Sequence, residues 1–536
     1  MRIPCSLLAA IGVSAIGISI AAEPSQITLE VKDYATLPIT GVLDGKGQTN
    51  GLLARINFLR EEPGGRRGRF FINDLYGPLY ILDKVSRKLT TYLDFNGREG
   101  RTGIFHKLSY ESGWANGFVN FIFDPDYARN GRFYTIHVED PALPGSALPD
   151  NTSFPGFKTS GYTLTEAIRT PGPIERESVL IEWTDTNPSN TTFEGTAREI
   201  MRVQFNTRIH PMGDFIFSPD AHPGDADFRV MYISCGDGGA GEARTAIRPN
   251  PQRLDTLVGK ILRIIPGVDD RKDSSVLSDN ARYRIPNDNP FVSKPGARKE
   301  IWAYGLRNPS RLSWASGGTS REDNRLIANV IGLHTWETVV FIHKGANYGY
   351  SLREGNQTLD TENKLGPLPE NDRIPVRITE SINGETITDG MIVPTYPVVQ
   401  YGHVQGGGDA IGSGYVYRGK AVPELQGKYI FADISTGNIW WADYEEMLAA
   451  DSGNPHKIVA MHPADVLRDR EVYRSMAPIT ESVYHARGGK ASGLPGIAAV
   501  SGGRSDIHFS IDADGELYIV SKSDGVIRAV VGATVK

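Results

Sequence analysis

The sequence predicts an all-β protein in which four-stranded antiparallel sheets repeat radially around a ring, with long inter-strand loops. Three observations carry that expectation. In 536 residues there are 59 Gly and 33 Pro but only 22% charged residues, the balance of a turn-rich chain without long charged helices. One unit recurs: a short apolar strand, a turn of Pro, Asp or Gly, then a second strand, often entering through Tyr-Ile. Patterns of helical period are scarce, Tyr444 to Ala450 being the best short candidate. Closing repeated sheets into a ring protects their edges, and a β-sandwich is the alternative arrangement.

The elements follow in order. Residues 1–22 carry one Arg, an apolar run and small residues at Ser19, Ala21 and Ala22, the pattern of a cleaved secretory signal peptide. An uncleaved anchor is the alternative, although the run is short for a span. Residues 23–536 are then expected to form one exported domain, periplasmic or secreted, with no further membrane span. Cys5 leaves with the leader, so Cys235 remains without an internal disulfide partner.

Strand–turn–strand units are expected at 70–80, 118–136, 215–233, 429–440, 507–520 and 518–527. In each, a Gly or Pro-Asp turn supplies the backbone geometry of a tight connection. Segments 141–195, 267–300 and 355–395 are rich in Pro, Asn, Thr and Asp, and are expected to be long loops carrying binding residues. A net charge of −6 gives no basic excess, so no nucleic-acid partner is expected.

Several places can carry chemistry. His210 precedes one strand and Asp237 follows its presumed partner, so a hairpin would bring both to one end as a general base and its carboxylate. A plain loop His and turn Asp is the alternative. Arg307-Asn308 stands in a Gly/Pro-flanked turn, where the guanidinium fork suits a carboxylate or a developing oxyanion. Around Gly332-Leu333, Glu337 and Tyr348, carbonyls, a carboxylate and a glycine loop can hold a hard cation such as Ca²⁺. His334, Glu337 and His343 also offer transition-metal ligands, but their spacing matches no structural zinc pattern. Asp512 to Gly515 looks like the start of a calcium loop but lacks the downstream Glu, and a β-turn accounts for it. Dinucleotide, Walker-type, nucleophile-elbow and c-haem motifs are missing from the sequence.

Together these motifs resemble the soluble glucose/sorbosone dehydrogenases, quinoprotein sugar dehydrogenases built as six-bladed β-propellers. The resemblance lies in the order of HPMGDFIFSPD from His210, YISCGDGG from Tyr232, NPQRLDTLVGKILRI from Asn250 and IWAYGLRNPSRLSW from Ile301. KGANYGYSLREG from Lys344, GSGYVYRGKAVPELQGKYIFADISTGNIW from Gly412 and DADGELYIVSKSDGVIRAV from Asp512 complete it, over roughly residues 50–530.

The resemblance implies His210 as catalytic base, Asp237 as its partner, and Arg307 and Asn308 as contacts of pyrroloquinoline quinone (PQQ). It implies the carbonyls of Gly332 and Leu333 as Ca²⁺ ligands and Arg418 as a basic contact for cofactor carboxylates. It places Glu337 at a second, structural Ca²⁺ site, while Tyr348 belongs to the metal set by the glycine-loop reading above. The implied reaction takes a proton from a sugar or alcohol hydroxyl to His210 as hydride passes to the quinone. Arg307 and Ca²⁺ stabilise the charge that develops. Electrons would leave to a separate cytochrome or quinone acceptor. Three positions depart from the family pattern: Ala115 where a Gln contacts the cofactor, Thr338 in place of a second acid after Glu337, and Thr436 where a basic residue can stand. These departures keep a second possibility open, a non-catalytic propeller that binds carbohydrate or a protein partner.

Overall fold

The computed structural model describes residues 26–44, 51–64, 68–110, 115–242, 247–316, 324–380, 386–403, 407–497 and 502–536; the leader expected at 1–22 lies outside them. Among the described residues, six four-stranded antiparallel units follow one another. The first is Ile56–Glu61, Arg69–Asp74, Pro78–Asp83 and Leu89–Asp94. The second is Phe118–Phe123, Arg132–Glu139, Arg176–Asp185 and Gly195–Phe205. The third is Met212–Phe217, Met231–Cys235, Lys260–Ile264 and Ile301–Tyr304. The fourth is Asn308–Trp314, Leu326–Ile331, Trp336–Phe341 and Val399–Gly402. The fifth is Ile411–Val416, Lys428–Asp433, Ile439–Asp443 and His462–Arg468. The sixth takes Ile507–Ile511, Leu517–Ser521 and Val526–Val535, and its fourth strand, Ile27–Thr36, comes from the other end of the chain.

That N-terminal strand pairs antiparallel with Val526–Val535, from Ile27 opposite Val535 to Thr36 opposite Val526. It also lies parallel to His462–Arg468 and so stitches the fifth unit to the sixth. The first strands of consecutive units lie side by side in a closed circuit, Ile507–Ile511 returning to Ile56–Glu61. Such strands have neighbours on both faces and read as unbroken apolar runs; every residue of Phe118–Phe123 is buried. Aromatic side chains fill the space between sheets. Phe71 of the first unit meets Phe123 of the second at 5.1 Å between ring centroids, and Tyr401 of the fourth meets Trp440 of the fifth at 4.7 Å.

The hairpins expected from Gly turns are present, and the first shows why glycine is needed. Gly77 has φ 133°, and a Cβ there would lie 2.5 Å from Asp94 Oδ1 and 2.7 Å from the Asn96 amide. The helix expected at Tyr444–Ala450 is also present, capped by Asp443, whose carboxylate accepts from the amides of Glu445 and Glu446.

The loops need correction. Segment 141–195 contains Arg176–Asp185, an inner member of the second sheet paired on both sides, along with the edge pair at Phe157–Lys158. Segment 267–300 holds a small hairpin, Ser275–Leu277 with Arg284–Pro286, and 355–395 holds Ile374–Glu380 paired with Thr386–Ile392. Pro- and Asn-rich flanks concealed these strands. Helix Ala477–Ala486 is a further element that helical periodicity did not single out.

Where the first strands meet, polar side chains tie units together. Asp214, 1% exposed, accepts from Asn120 Nδ2 of the second unit at 2.6 Å and from the Leu312 amide of the fourth at 2.8 Å. Arg60 of the first unit stands 3.4 Å from the same carboxylate. One side chain thus joins four of the six units.

Candidate active site

A cavity of about 500 Å³ opens where the first strands begin. Ala115 precedes Phe118–Phe123, His210 precedes Met212–Phe217, Asn308 opens the fourth unit, and Ala410 precedes Ile411–Val416. Asn57 and Asp506 stand at the equivalent starts in the first and sixth units. All six units therefore contribute to one wall-to-wall site, of a volume ordinary for a small-molecule pocket.

His210 is held from two directions. Its Nδ1 lies 2.6 Å from Asp237 Oδ1. The Asp237 carboxylate, fully buried, also accepts from the amides of Gly239 and Gly241, each at 2.9 Å. An acceptor on Nδ1 places the ring proton there and leaves Nε2 as the open base. His210 has φ 53°, a left-handed conformation uncommon for a side chain other than Asn, Asp or Gly. Gly236 makes room for it: a Cβ there would lie 2.5 Å from the His210 carbonyl oxygen and 2.7 Å from its Cβ.

Burial pushes the Asp237 carboxyl up, but the His210 ring, the Arg307 guanidinium and the Gly239 amide together hold it below the usual carboxylate range. A carboxylate whose folded pKa is depressed stabilises the fold above its unfolded pKa, and that contribution is lost as pH falls through the folded value. In thermal melts below about pH 4, Asp237→Asn should therefore lose stability with falling pH less steeply than the parent. Parallel slopes would show that this pair contributes nothing to acid stability.

Arg307 is buried and lines the same cavity, and its carbonyl accepts the Asp237 amide at 2.7 Å. Burial works against its charge, but the neighbouring Glu242, Tyr350, Asp237 and Glu337 together more than offset this and keep it cationic. Glu242 forms an ion pair with the Arg307 guanidinium and stands with His210 and Asp237 in a group whose ligand atoms lie within 4.8 Å of one another. Sequence reasoning missed Glu242; its only signal is its place just after Gly-Gly-Ala-Gly.

Gly332 and Leu333 line the cavity on a loop held by its amides. Glu354 Oε1 accepts from the amides of Leu333, His334, Thr335 and Trp336 at 2.9–3.2 Å. Glu337 Oε1 accepts from the Gly332 amide at 3.0 Å. With the amides turned to these carboxylates, the carbonyl oxygens of Gly332 and Leu333 accept no hydrogen bond among the described residues. Two open carbonyls at a cavity wall are donors suited to a hard cation.

Glu337 and Tyr348, expected in the metal set, have side chains engaged within the protein. Glu337 is fully buried, and its two oxygens accept from Gly332, from His403 Nε2 at 2.7 Å and from the Ile411 amide at 2.7 Å. Three donors from the protein thus already engage the carboxylate. Tyr348 donates to the Phe341 carbonyl and accepts from the His343 amide. His343 pairs with Asp451 at 2.9 Å, so His334, Glu337 and His343 do not converge.

Arg418 stands apart from this cavity's lining. It lies beyond the end of Ile411–Val416, whereas the cavity lies at that strand's start, and its guanidinium stacks 5.7 Å from the Tyr444 ring. The cations that do line the cavity besides Arg307 are Arg311, Arg504 and Lys522. Thr436 folds back on Asp433 within its own turn. Ala115 is at the cavity wall, and Thr338 borders a separate small pocket.

The sequence pattern described as Glucose / Sorbosone dehydrogenase matches residues 107–453. The chain belongs to that family. Among relatives of this glucose/sorbosone dehydrogenase family member, the HIPL1 protein of Arabidopsis thaliana is 28% identical over 344 residues, 60% of this chain and 43% of that protein. Aldose sugar dehydrogenase YliI of Escherichia coli is 36% identical over 108 residues, 20% of this chain and 23% of that one. The chain thus spans less than half the length of these relatives. A crystal structure of a glucose dehydrogenase superposes with a TM-score of 0.51 at 16% identity, covering 89% of this chain and 98% of that one. The apo form of the soluble aldose sugar dehydrogenase from Escherichia coli gives 0.50 at 15%, covering 95% and 99%. At these identities the likeness concerns the fold.

Proposed function

We propose that the chain is an exported, PQQ-dependent dehydrogenase that oxidises a hydroxyl-bearing carbon of a sugar or related alcohol, built as a six-bladed β-propeller. The observation that carries this is the His210–Asp237 pair, 2.6 Å apart, opening into one cavity with Arg307 and the loop carbonyls of Gly332 and Leu333. The circuit of six four-stranded units supports the propeller, and family membership supports sugar oxidation. Export rests on the leader pattern of residues 1–22; among the described residues, no helix is long and apolar enough to cross a membrane.

The donor set fits the cofactor. The volume suits a three-ring molecule, Arg307, Asn308 and the further cations suit its carboxylates and carbonyls, and the open carbonyls suit Ca²⁺. When bound, PQQ supplies a two-electron acceptor for hydride. The chain's own residues do the rest. Asp237 fixes the ring of His210 so that Nε2 faces the cavity unprotonated and takes the substrate's hydroxyl proton. Arg307 presents positive charge where anionic oxygen develops. Glu354 and Glu337 hold the Gly332–Trp336 loop in place through its amides. A separate soluble cytochrome or quinone is the final acceptor.

Two observations favour a non-catalytic binding propeller instead: Glu242 already engages Arg307, and Ala115 brings no polar side chain to the wall. Titrating PQQ and Ca²⁺ into the purified full chain, while following quinone absorbance and dye reduction over a panel of aldoses and polyols, separates the two. Saturable uptake with turnover is the expected result. No uptake at micromolar PQQ would overturn the dehydrogenase in favour of the binding protein.

A further inference from the structure

The charged side chains on the cavity wall differ sharply in what a ligand can reach. Arg307, Arg504, Lys522, Asp409 and Asp506 have side chains only 2–9% exposed, and Arg311 is buried. Glu242 lines the same cavity with its side chain 39% exposed. Among the described residues, the most accessible acid or base of fixed charge on that wall is therefore a single carboxylate. It stands beside the catalytic pair.

Glu242 is placed by the turn that carries Asp237, its amide donating to the Gly239 carbonyl at 3.3 Å. One of its carboxylate oxygens forms a group with ligand atoms of His210 and Asp237 in which all lie within 4.8 Å of one another. The acceptors there are not equally free. Asp237 is engaged by His210 and by the amides of Gly239 and Gly241. Glu242 Oε1 meets the Arg307 guanidinium, whereas Oε2 accepts no hydrogen bond among the described residues. Arg307 already supplies the cation of this group, so the open oxygen is left for a ligand of the cavity.

A sugar that presents a hydroxyl to His210 brings the substituent on the neighbouring carbon towards Glu242. A hydroxyl there can donate a charge-assisted hydrogen bond to Oε2. An ammonium group adds attraction between opposite charges, and an anionic group meets a like charge that no exposed cation offsets. We propose that Glu242 is the residue that selects the substrate by charge. It favours a sugar with an amine beside the reacting hydroxyl, accepts a neutral one, and turns away a sugar that is acidic at that position. This rests on His210 as the base that receives the hydroxyl.

Three ligands that differ only at C2, a neighbour of the hydroxyl-bearing carbons C1 and C3, test it. 2-Amino-2-deoxyglucose carries a positive charge there, its N-acetyl derivative none, and its N-sulfo derivative a negative charge. At pH 7, binding to the full chain without cofactor is read by ligand line broadening, and kcat/KM is read on the chain loaded with PQQ and Ca²⁺. Both are measured in the parent, Glu242→Gln and Glu242→Asp, with melting curves to control for folding; the exposed His334 at the same wall is common to all three. In the parent the amine should lead and the N-sulfo sugar trail, about tenfold apart. Glu242→Gln keeps an acceptor oxygen, loses the charge and uncovers Arg307, so the amine should lose its lead and the N-sulfo sugar gain about tenfold. Glu242→Asp keeps the charge and should keep the order. The same order in the parent and Glu242→Gln would overturn the selector, as would N-sulfo binding to the parent as tight as that of the amine. Charge-ordered binding without turnover of any sugar would keep Glu242 as the selector of a binding protein and overturn the dehydrogenase. Turnover indifferent to the charge at C2 would do the reverse, and neither binding nor turnover of any of the three would overturn both.

Discussion

Replacing His210 with alanine should lower sugar-oxidising turnover by about 10²–10⁴-fold, the usual contribution of a positioned general base, while leaving quinone uptake in place. Nε2 is the open nitrogen because Nδ1 is committed to Asp237 at 2.6 Å. The carboxylate is held in turn by two backbone amides, so the ring cannot turn without losing an acceptor that is fixed in place. The variant removes the proton acceptor but keeps Arg307 and the Gly332–Leu333 carbonyls, so turnover should fall and cofactor absorbance persist. Asp237→Asn should fall less steeply, because an amide can still face Nδ1 but loses the charge that favours the ring's protonated form. Stopped-flow reduction of the loaded quinone reads this step directly. Unchanged reduction in His210→Ala would remove the imidazole from the reaction.

The hairpins were legible because their two signals are local: a short apolar run and a glycine that its turn requires, as at Gly77. Arg176–Asp185 escaped because its flanks have loop composition and one neighbour, Arg132–Glu139, lies across the long connection 140–175. The same division holds in the site. His210 and Asp237 stand on one hairpin, and their meeting follows from its register, with Met212 opposite Cys235. Arg418 lies beyond the far end of its strand, and a local motif does not say which end of a strand faces the cavity. Arg311 and Lys522 carried no local signal at all. A lone cation in a strand ordinarily reads as solvated, and only closure of the ring brings residues 57, 311, 508 and 522 together.

Closure itself depends on buried polar contacts, and Asp214 is where the largest loss of stability is expected. Asp214→Ala should cost about 3–5 kcal/mol in urea unfolding, the range for breaking one side of a buried charged network. The carboxylate joins Asn120, the Leu312 amide and Arg60, which belong to three other units, and accepts from the Phe215 amide on its own strand at 2.8 Å. Alanine takes away the acceptor of the Asn120 side chain and of the Leu312 amide, both buried, and the carboxylate that faces Arg60. Burial raises the Asp214 carboxyl above its usual range, against the pull of Arg60 and Arg311, so the charge is held at a cost. Asp214→Asn keeps one acceptor oxygen and avoids that cost, and should lose less, about 1–3 kcal/mol. The order Ala below Asn below parent is the signature of a bridging acceptor. Equal loss in both variants would assign the effect to charge alone, and a loss under about 1 kcal/mol in Asp214→Ala would mean that apolar packing between sheets closes the ring without it.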